Sequence, residues 1–456
     1  MLWFLAIAVL LGVALALDAG LVAFAGYVIL GVYALSRYLA MQWVTHLTAE
    51  RKCDAAPREI GESTEVTITL TNTGRIGIPW VLVEDLIAEQ TLRQRPPRLT
   101  VKGKRIQVAA LKGGRSKSIR YRVVFEMRGY YPLGPVVLET GDVFGLHRRH
   151  KVLGEPVYVM VYPKVIPLPK YDFASERPIG EIRLQNRLFE DPTRTAGVRK
   201  YVLGDPLQRV HWKVTARTGE LHCRVYEPTS LAGATLLVDF HAAGYHARGE
   251  PYRSDLAVTA AASIAYAVSV LNQQVGLGSN GRDAADRIRE EALAKQPESA
   301  SVEGYETRDE ARRRYELLEE NDRVRPVVVE TRRGFDQFQK IREVLARLEI
   351  SDALTFARLA LELAPRMPRD ATVIAVLPKV SVETAVALGT LRRQGFAVTA
   401  VLIGLTDAEQ IDAHGRLLAE TVRDIRYVNT EEQLGEFGTN TRAGAPATFS
   451  AETLAD

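Results

Sequence analysis

The N-terminus constrains this chain more than any other part of it. Residues 2–17 contain no charged or strongly polar side chain. Asp18, Ala19 and Gly20 interrupt, and residues 21–36 are again uncharged until Arg37. Crossing a hydrocarbon layer of ~30 Å takes about 20 helical residues, with a lower limit near 17. Two such segments joined by a short polar turn read as a transmembrane helical hairpin over residues 1–40. A cleaved signal peptide would start with basic residues and carry one shorter apolar stretch. Here no Lys or Arg precedes Leu2, and a second apolar stretch comes directly after the first. Arg37, Arg51 and Lys52 lie beyond the second segment, whereas Asp18 stands in the turn. The positive-inside rule then predicts an inner-membrane protein with the turn outside and everything downstream in the cytoplasm.

The chain is long enough for two or three ordinary domains. Of the 456 residues, 46% are hydrophobic and 25% charged, a globular balance. The net charge of +4 gives no general affinity for nucleic acid. Cys53 and Cys223 are the two cysteines, too far apart in sequence for a metal knuckle and too few for a disulfide framework.

Residues 45–168 carry the two-residue period of strands. Val66, Ile68 and Leu70 alternate with threonines before the turn at Asn72-Thr73-Gly74, and Ile119, Tyr121, Val123 and Phe125 repeat the pattern. Short strands with regular turns predict an immunoglobulin-like β-sandwich. From residue 232 to 437 the pattern changes to strands alternating with helices. Strands are expected at 234–240, 371–377, 397–404 and 425–428, with helices at 255–271, 335–348, 353–364, 382–393 and 407–422. That order predicts an α/β doubly wound parallel sheet. Helix 255–271 is apolar nearly all round, which indicates burial; a third span is disfavoured by Thr259, Ser263 and its length. Residues 281–325 are rich in charges of both signs and read as a solvated insertion with a helix near 309–320. The tail, 438–456, reads as disordered.

Between the two soluble domains, residues 169–231 hold the most distinctive series: Tyr201, Gly204, Asp205, Arg209, His211, Trp212, Lys213, Ala216 and Arg217. Here the chain resembles the domain of unknown function 58 family, whose hallmark is this order of tyrosine, glycine-aspartate, arginine, histidine-tryptophan and alanine-arginine. The likeness extends to the apolar N-terminus, to Arg128-Gly129-Tyr130, to Asp142-Val143-Phe144-Gly145-Leu146 and to the terminal α/β region, and so covers nearly the whole chain. The resemblance implies that the α/β domain is similar to a von Willebrand factor A fold, and that the partner is an AAA+ ATPase of the MoxR type. It implies no settled biochemical activity.

Read by themselves, the motif residues have a simple logic. Gly204-Asp205-Pro206 is a turn sequence in which Asp205 caps the next element, and Arg209 or Arg217 pairs with Asp205 or stacks on Trp212. His211 oriented by Asp205 would suit acid–base chemistry, yet no serine or cysteine stands in a nucleophile motif. A buried polar network joining the domains is the preferred reading, one that loses stability if half satisfied. A von Willebrand factor A metal loop needs Asp-x-Ser-x-Ser, because Mg²⁺ prefers hard oxygen ligands. Asp239 fills the first position, but Phe240, His241, Ala242 and Ala243 come next, and Pro378-Lys379-Val380 stands where a later aspartate belongs. His241 has no partner at metal-ligand spacing. The expectation is a degenerate metal position, with no metal and no cofactor. Nucleic-acid binding through Arg183, Arg187, Arg194, Arg199 and Lys200 is disfavoured, since Glu181, Glu190 and Asp191 interrupt them without an aromatic platform. The sequence therefore points to a membrane-anchored, non-enzymatic scaffold contacting the bilayer and an ATPase. The alternative is a membrane-bound enzyme using Asp205 and His211.

Overall fold

The computed structural model describes residues 9, 12, 20–145, 147–168, 190–202, 210–228, 233–246, 249–294, 325–368 and 371–435. Two compact units result. The first comprises residues 1–164, 282–323 and 342–350; the second comprises 165–281, 324–341 and 351–456.

The first unit opens with α1, Gly20–His46. A stretch without Pro or charge propagates a helix, and α1 runs through Arg37 to His46, ten residues past the expected end of the second apolar segment. Within it, Phe24–His46 is long and apolar enough to cross a membrane, with 17% of its most apolar window buried. The first apolar segment and Asp18 lie outside the described residues, save Val9 and Gly12, which are helical. There is no linker after α1. Strand β1, Leu47–Cys53, begins at the next residue, so residues 41–46 are the end of the helix rather than a spacer.

The reason is packing. Trp43 and Leu47 belong to the sandwich core, and Leu39 packs against it. The helix end is also closed chemically. The Lys151 ammonium donates to the carbonyls of Val44 (3.3 Å) and Leu47 (3.0 Å), and the Thr73 amide and hydroxyl both donate to His46 O at 2.9 Å. These carbonyls have no helical partner, and a cation there complements the helix dipole.

The sandwich is built from β1, β2 (Ser63–Asn72), β3 (Ile78–Ile87), β4 (Leu99–Gly103), β5 (Ile106–Leu111), β6 (Ser116–Phe125), β7 (Gly129–Gly141), β8 (Arg148–Leu153) and β9 (Val157–Val161). One sheet has the order β1-β2-β6-β4, the other β5-β3-β7-β8, with β9 on the first half of β7. The expected alternation sets the register: Val66 faces Tyr121 and Ile68 faces Ile119, all inward. The Asp85 side chain is folded into this core. Asp85 is fully buried; its Oδ2 accepts from the Tyr121 hydroxyl at 2.5 Å and its Oδ1 meets Arg51 at 3.4 Å. Burial pushes the Asp85 carboxyl up, against the pull of Tyr121 and Arg51. Arg51, read as a flanking charge, is thus committed to the sandwich.

The charged segment expected to be a solvated insertion begins instead as ordered structure. Residues 282–283 pair with 348–349, and a helix runs over Ala284–Ala294. Arg287 is buried and holds Glu349 with two bonds, 2.8 and 2.9 Å, while Arg347 Nε reaches Asp283 at 3.1 Å. Mixed charges suggest a solvated segment, yet paired guanidinium and carboxylate groups satisfy each other when enclosed. The helix expected at 309–320 lies outside the described residues, as does the tail at 438–456.

In the second unit, β10 (Glu190–Lys200) pairs antiparallel with β11 (His222–Pro228), and between them lies α2, Trp212–Thr218. The main sheet comprises β12 (Gly233–Val238), β13 (Gln274–Ser279), β14 (Val327–Arg332), β15 (Ala371–Leu377), β16 (Ala397–Ile403) and β17 (Asp424–Val428), in the order β14-β13-β12-β15-β16-β17. All neighbours are parallel except β14, an antiparallel edge strand. Helix α3, Tyr252–Val270, is almost wholly buried, as expected, and packs against the sheet. Helix α4 (Phe335–Arg347), of which residues 335–341 belong to this unit, α5 (Phe356–Leu363), α6 (Val382–Arg393), α7 (Asp407–Ala419) and the short α8 (Glu431–Gly435) complete the series. Leu237, Val373, Ala375, Leu377, Ala400 and Leu402 share a cluster with α5, α6 and α7, and the alternate residues of these strands face the other way. Both faces of the sheet are therefore covered.

Strands β13 and β14 escaped the sequence reading. In β13 the glycines are contact points, not breaks. A Cβ on Gly276 would collide with Thr331 of β14, and one on Gly278 with Leu363 of α5.

Candidate functional site

The sheet order reverses beside β12, whose neighbours are β13 and β15. Ligands of open α/β sheets bind at the carboxyl ends of the strands at such a point. Asp239, the degenerate metal position, sits there one residue past β12. Its surroundings hold it closed. Asp239 Oδ1 accepts from Asn280 Nδ2 at 2.8 Å and from the His241 amide at 3.2 Å, and its carbonyl accepts from the Tyr245 hydroxyl at 2.7 Å. Asn280 in turn accepts from the Phe240 amide at 2.6 Å and donates to Leu354 O at 2.9 Å. Phe240 and Ala242 pair through their backbones with Ser351. The loop after β12 is thereby tied to two other loops of the unit.

Burial drives the Asp239 carboxyl above its ordinary value; the bonds from Asn280 and His241 pull the other way. The donors present do not fit Mg²⁺. His241 Nδ1 is turned to the Ala243 amide at 3.2 Å, Pro378 is buried, and Lys379 is exposed at the neighbouring loop. Among the described residues there is no group of three His, Cys, Asp or Glu side chains placed to hold a metal ion. The Asp239 carboxylate is a hydrogen-bond hub. Sequence reasoning found Asp239 but missed Asn280 and Tyr245; a polar residue ending the strand beside β12 is the signal that would have found Asn280.

The distinctive motif is only partly described. Gly204, Asp205 and Arg209 lie outside the described residues, so the turn at Asp205 and its pairing with Arg209 have no structural account. Tyr201 donates its amide to Leu221 O at 2.9 Å, extending the β10–β11 ladder, and Val210 bridges Cys223 on the other side of β11. His211 then caps α2: its Nδ1 accepts from the Val214 amide at 3.4 Å. The helix ends at Gly219, whose φ of 74° suits glycine and whose amide donates to Thr215 O. Thr215 Oγ1 accepts from the His222 amide at 3.1 Å, which binds the helix to β11.

This corrects the expectation of a buried network. Helix α2 has no buried residue, Trp212 is 66% exposed, and Lys213, Ala216 and Arg217 are not enclosed beside it. The physical reason is length. A helix of seven residues closed at both ends satisfies its own backbone, so its side chains need not be enclosed. Val202 (60%) and Leu221 (43%) are further exposed apolar residues of the same segment.

Comparison with known proteins gives three findings. The chain is 24% identical over 246 residues to the uncharacterized protein YeaD of Bacillus subtilis (strain 168), covering 54% of this chain and 58% of that protein. It thus spans less than two thirds of that relative. Solved structures give short, weak likenesses. The CARDB domain of the PF1109 protein from Pyrococcus furiosus is 17% identical over 25% of this chain and 86% of its own, with a TM-score of 0.17. The PapD-like domain 7 of human CEP192 is 14% identical over 26% and 85%, with a TM-score of 0.19. Scores this low carry no inference. The model of the family described as protein of unknown function DUF58 matches residues 197–315, the part that includes the motif, β12, α3 and β13, rather than nearly the whole chain.

Proposed function

We propose that this protein is a membrane-anchored, non-enzymatic scaffold that captures a protein partner through the α2 segment. The partner is an AAA+ ATPase of the MoxR type, acting in assembly or maturation of a protein complex or of the cell envelope. The observation that carries this is Trp212. A tryptophan two-thirds exposed, on a helix fixed at both ends and flanked by Lys213 and Arg217, is costly to leave in water and suited to an interface. Tryptophan and arginine dominate the energetics of protein interfaces. The two cations favour an acidic partner surface.

Three features support the wider reading. The six-stranded doubly wound sheet, with its strand order reversing at Asp239, supports a von Willebrand factor A-like domain, and the hydrogen bonds that close over Asp239 support one without metal. His211 spends Nδ1 on capping α2, which supports a positioning role over acid–base catalysis with Asp205. Direct fusion of α1 to β1 supports an anchor that fixes the sandwich at the bilayer. The hairpin topology, with two passes and the soluble parts in the cytoplasm, rests on the two apolar segments and on Arg37 and its downstream cations.

The test is capture from detergent-solubilised membranes, comparing the full chain with its Trp212→Ala variant. The wild type recovers an AAA+ ATPase and the variant loses most of it, with unchanged thermal unfolding. Recovery of no ATPase, or equal recovery by both, overturns the proposal. Turnover lost in a folded His211→Gln variant would establish the enzyme instead.

A further inference from the structure

The Asp142-Val143-Phe144-Gly145 stretch is a distinctive motif that the proposed function leaves unused. It lies at the turn between β7 and β8, in the first unit. The backbone of this turn is tightly fixed. Asp142 Oδ2 accepts from the Phe144 amide at 2.9 Å and Oδ1 from the His147 amide at 2.5 Å. The Asp142 amide donates to His147 O at 3.1 Å, and Gly145 adopts φ 74°. Gly141 completes the fit, since a Cβ there would stand 2.6 Å from His147 O. The side chains held out by this frame are apolar: Val143 is 71% exposed and Phe144 68%. A fixed turn that offers two large apolar side chains to water asks for an apolar environment.

The position of the turn says which one. His147 sits edge-on against Tyr33 of α1, with ring centroids 4.8 Å apart. Tyr33 lies one turn before Arg37, where the uncharged part of α1 ends. Around it the helix exposes Ile29 (52%), Leu35 (57%) and Tyr38 (55%). Aromatic residues and the first cation after an apolar stretch mark the membrane–water boundary. At ~1.5 Å per residue, the stretch from Tyr38 to His46 stands ~14 Å beyond that boundary, leading into the sandwich. The turn therefore reaches back along α1 to the level of Tyr33. Asp142, Arg37 and Arg149 all lie near enough to His147 to act on its charge, and Arg148 is exposed while also pairing with Glu139 at 3.4 Å. Two apolar side chains beside three arginines that outnumber the adjacent acids Asp142 and Glu139 match an anionic lipid surface.

We infer that the Val143–Phe144 turn is a second membrane contact, inserting into the headgroup–acyl boundary of an anionic bilayer beside α1. The inference rests on the reading of α1 as a membrane anchor. With the anchor it fixes the sandwich at two points, which sets its orientation as well as its distance from the bilayer.

The test uses the full chain reconstituted in vesicles of phosphatidylcholine with phosphatidylglycerol, in a Cys53→Ser, Cys223→Ser background. An environment-sensitive fluorophore is placed at Phe144→Cys or, separately, at Val28→Cys in α1. The label at position 144 shows blue-shifted emission and quenching by lipids bearing a shallow nitroxide, weaker when phosphatidylglycerol is omitted. Position 28 reports the anchor through a deep nitroxide. Quenching at 28 with water-like emission at 144 overturns this inference alone. No quenching at either position overturns the anchor and this inference together. A label on exposed Val386→Cys, remote from the turn in sequence and in the other unit, stays water-like when the contact is specific to the turn.

Discussion

Asp239 offers the sharpest test of how the α/β unit is built, because two readings of one carboxylate predict opposite things. As a hydrogen-bond hub, it needs an acceptor at Oδ1 and no charge. Asp239→Asn keeps an oxygen there and should change local stability by less than about 1 kcal/mol, whereas Asp239→Ala takes the acceptor from one of the two Asn280 Nδ2 hydrogens, the other staying on Leu354 O, and from the His241 N–H. A buried donor left unpaired costs about 1–3 kcal/mol, so the alanine variant should lose about 2–6 kcal/mol. Against a domain stability of about 5–15 kcal/mol that is a large share. Hydrogen exchange of the peptide covering residues 233–245 in the reconstituted full chain reads it directly, at about tenfold faster exchange per 1.4 kcal/mol. The pH dependence comes from the raised carboxyl. The folded state holds this proton more tightly than the unfolded chain, whose value is near the ordinary 3.8. The stability due to the neutral form is fully present below that value and is lost as pH rises through the folded one. Asp239→Asn has no proton to lose, so its stability relative to wild type should grow as pH rises above the ordinary carboxyl value. Equal exchange in the alanine and asparagine variants would refute the hub. So would a stabilisation by Mg²⁺ that requires Asp239.

Two further substitutions test the first unit. Lys151→Met removes the cation from the carbonyls of Val44 and Leu47 and should cost about 1–3 kcal/mol, read as earlier thermal unfolding and faster exchange at residues 41–50. Unchanged exchange there would show that core packing and the Thr73 bonds to His46 hold the helix end without the cation. Tyr121→Phe withdraws the hydroxyl from buried Asp85 and should cost about 1–3 kcal/mol, with the Asp85 carboxyl rising further. Because a raised carboxyl loses its stabilising neutral form as pH rises, this variant should be hurt more at about pH 8 than at about pH 5. A loss independent of pH would assign the effect to packing.

Much of the fold was legible in the chain because periodicity survives in one dimension. Val66, Ile68 and Leu70 announced their strand and its inward face, and residues 371–377 and 382–393 carried their element types with no help from neighbours. Where the sequence misled, partners distant in the chain were responsible. Residues 274–279 have no assignment from sequence, because Thr331 and Leu363, which lie against Gly276 and Gly278, are far off in the chain. Arg287 and Asp283 look solvated until Glu349 and Arg347 close over them. The motif was visible as a pattern, but its exposure was not, since whether Trp212 meets core or water depends on the surroundings of α2.

By itself, then, the sequence determined an apolar N-terminus, a β-rich segment, an α/β segment and the residues that set this chain apart, all consequences of local composition and spacing. Only the tertiary structure decided that α1 continues without a break into the sandwich, that Asn280 and His241 close over Asp239, and that the Val143–Phe144 turn lies level with the end of the apolar helix. Each of those depends on contacts between residues far apart in the chain, and burial, which fixes their energies, belongs to the folded molecule alone.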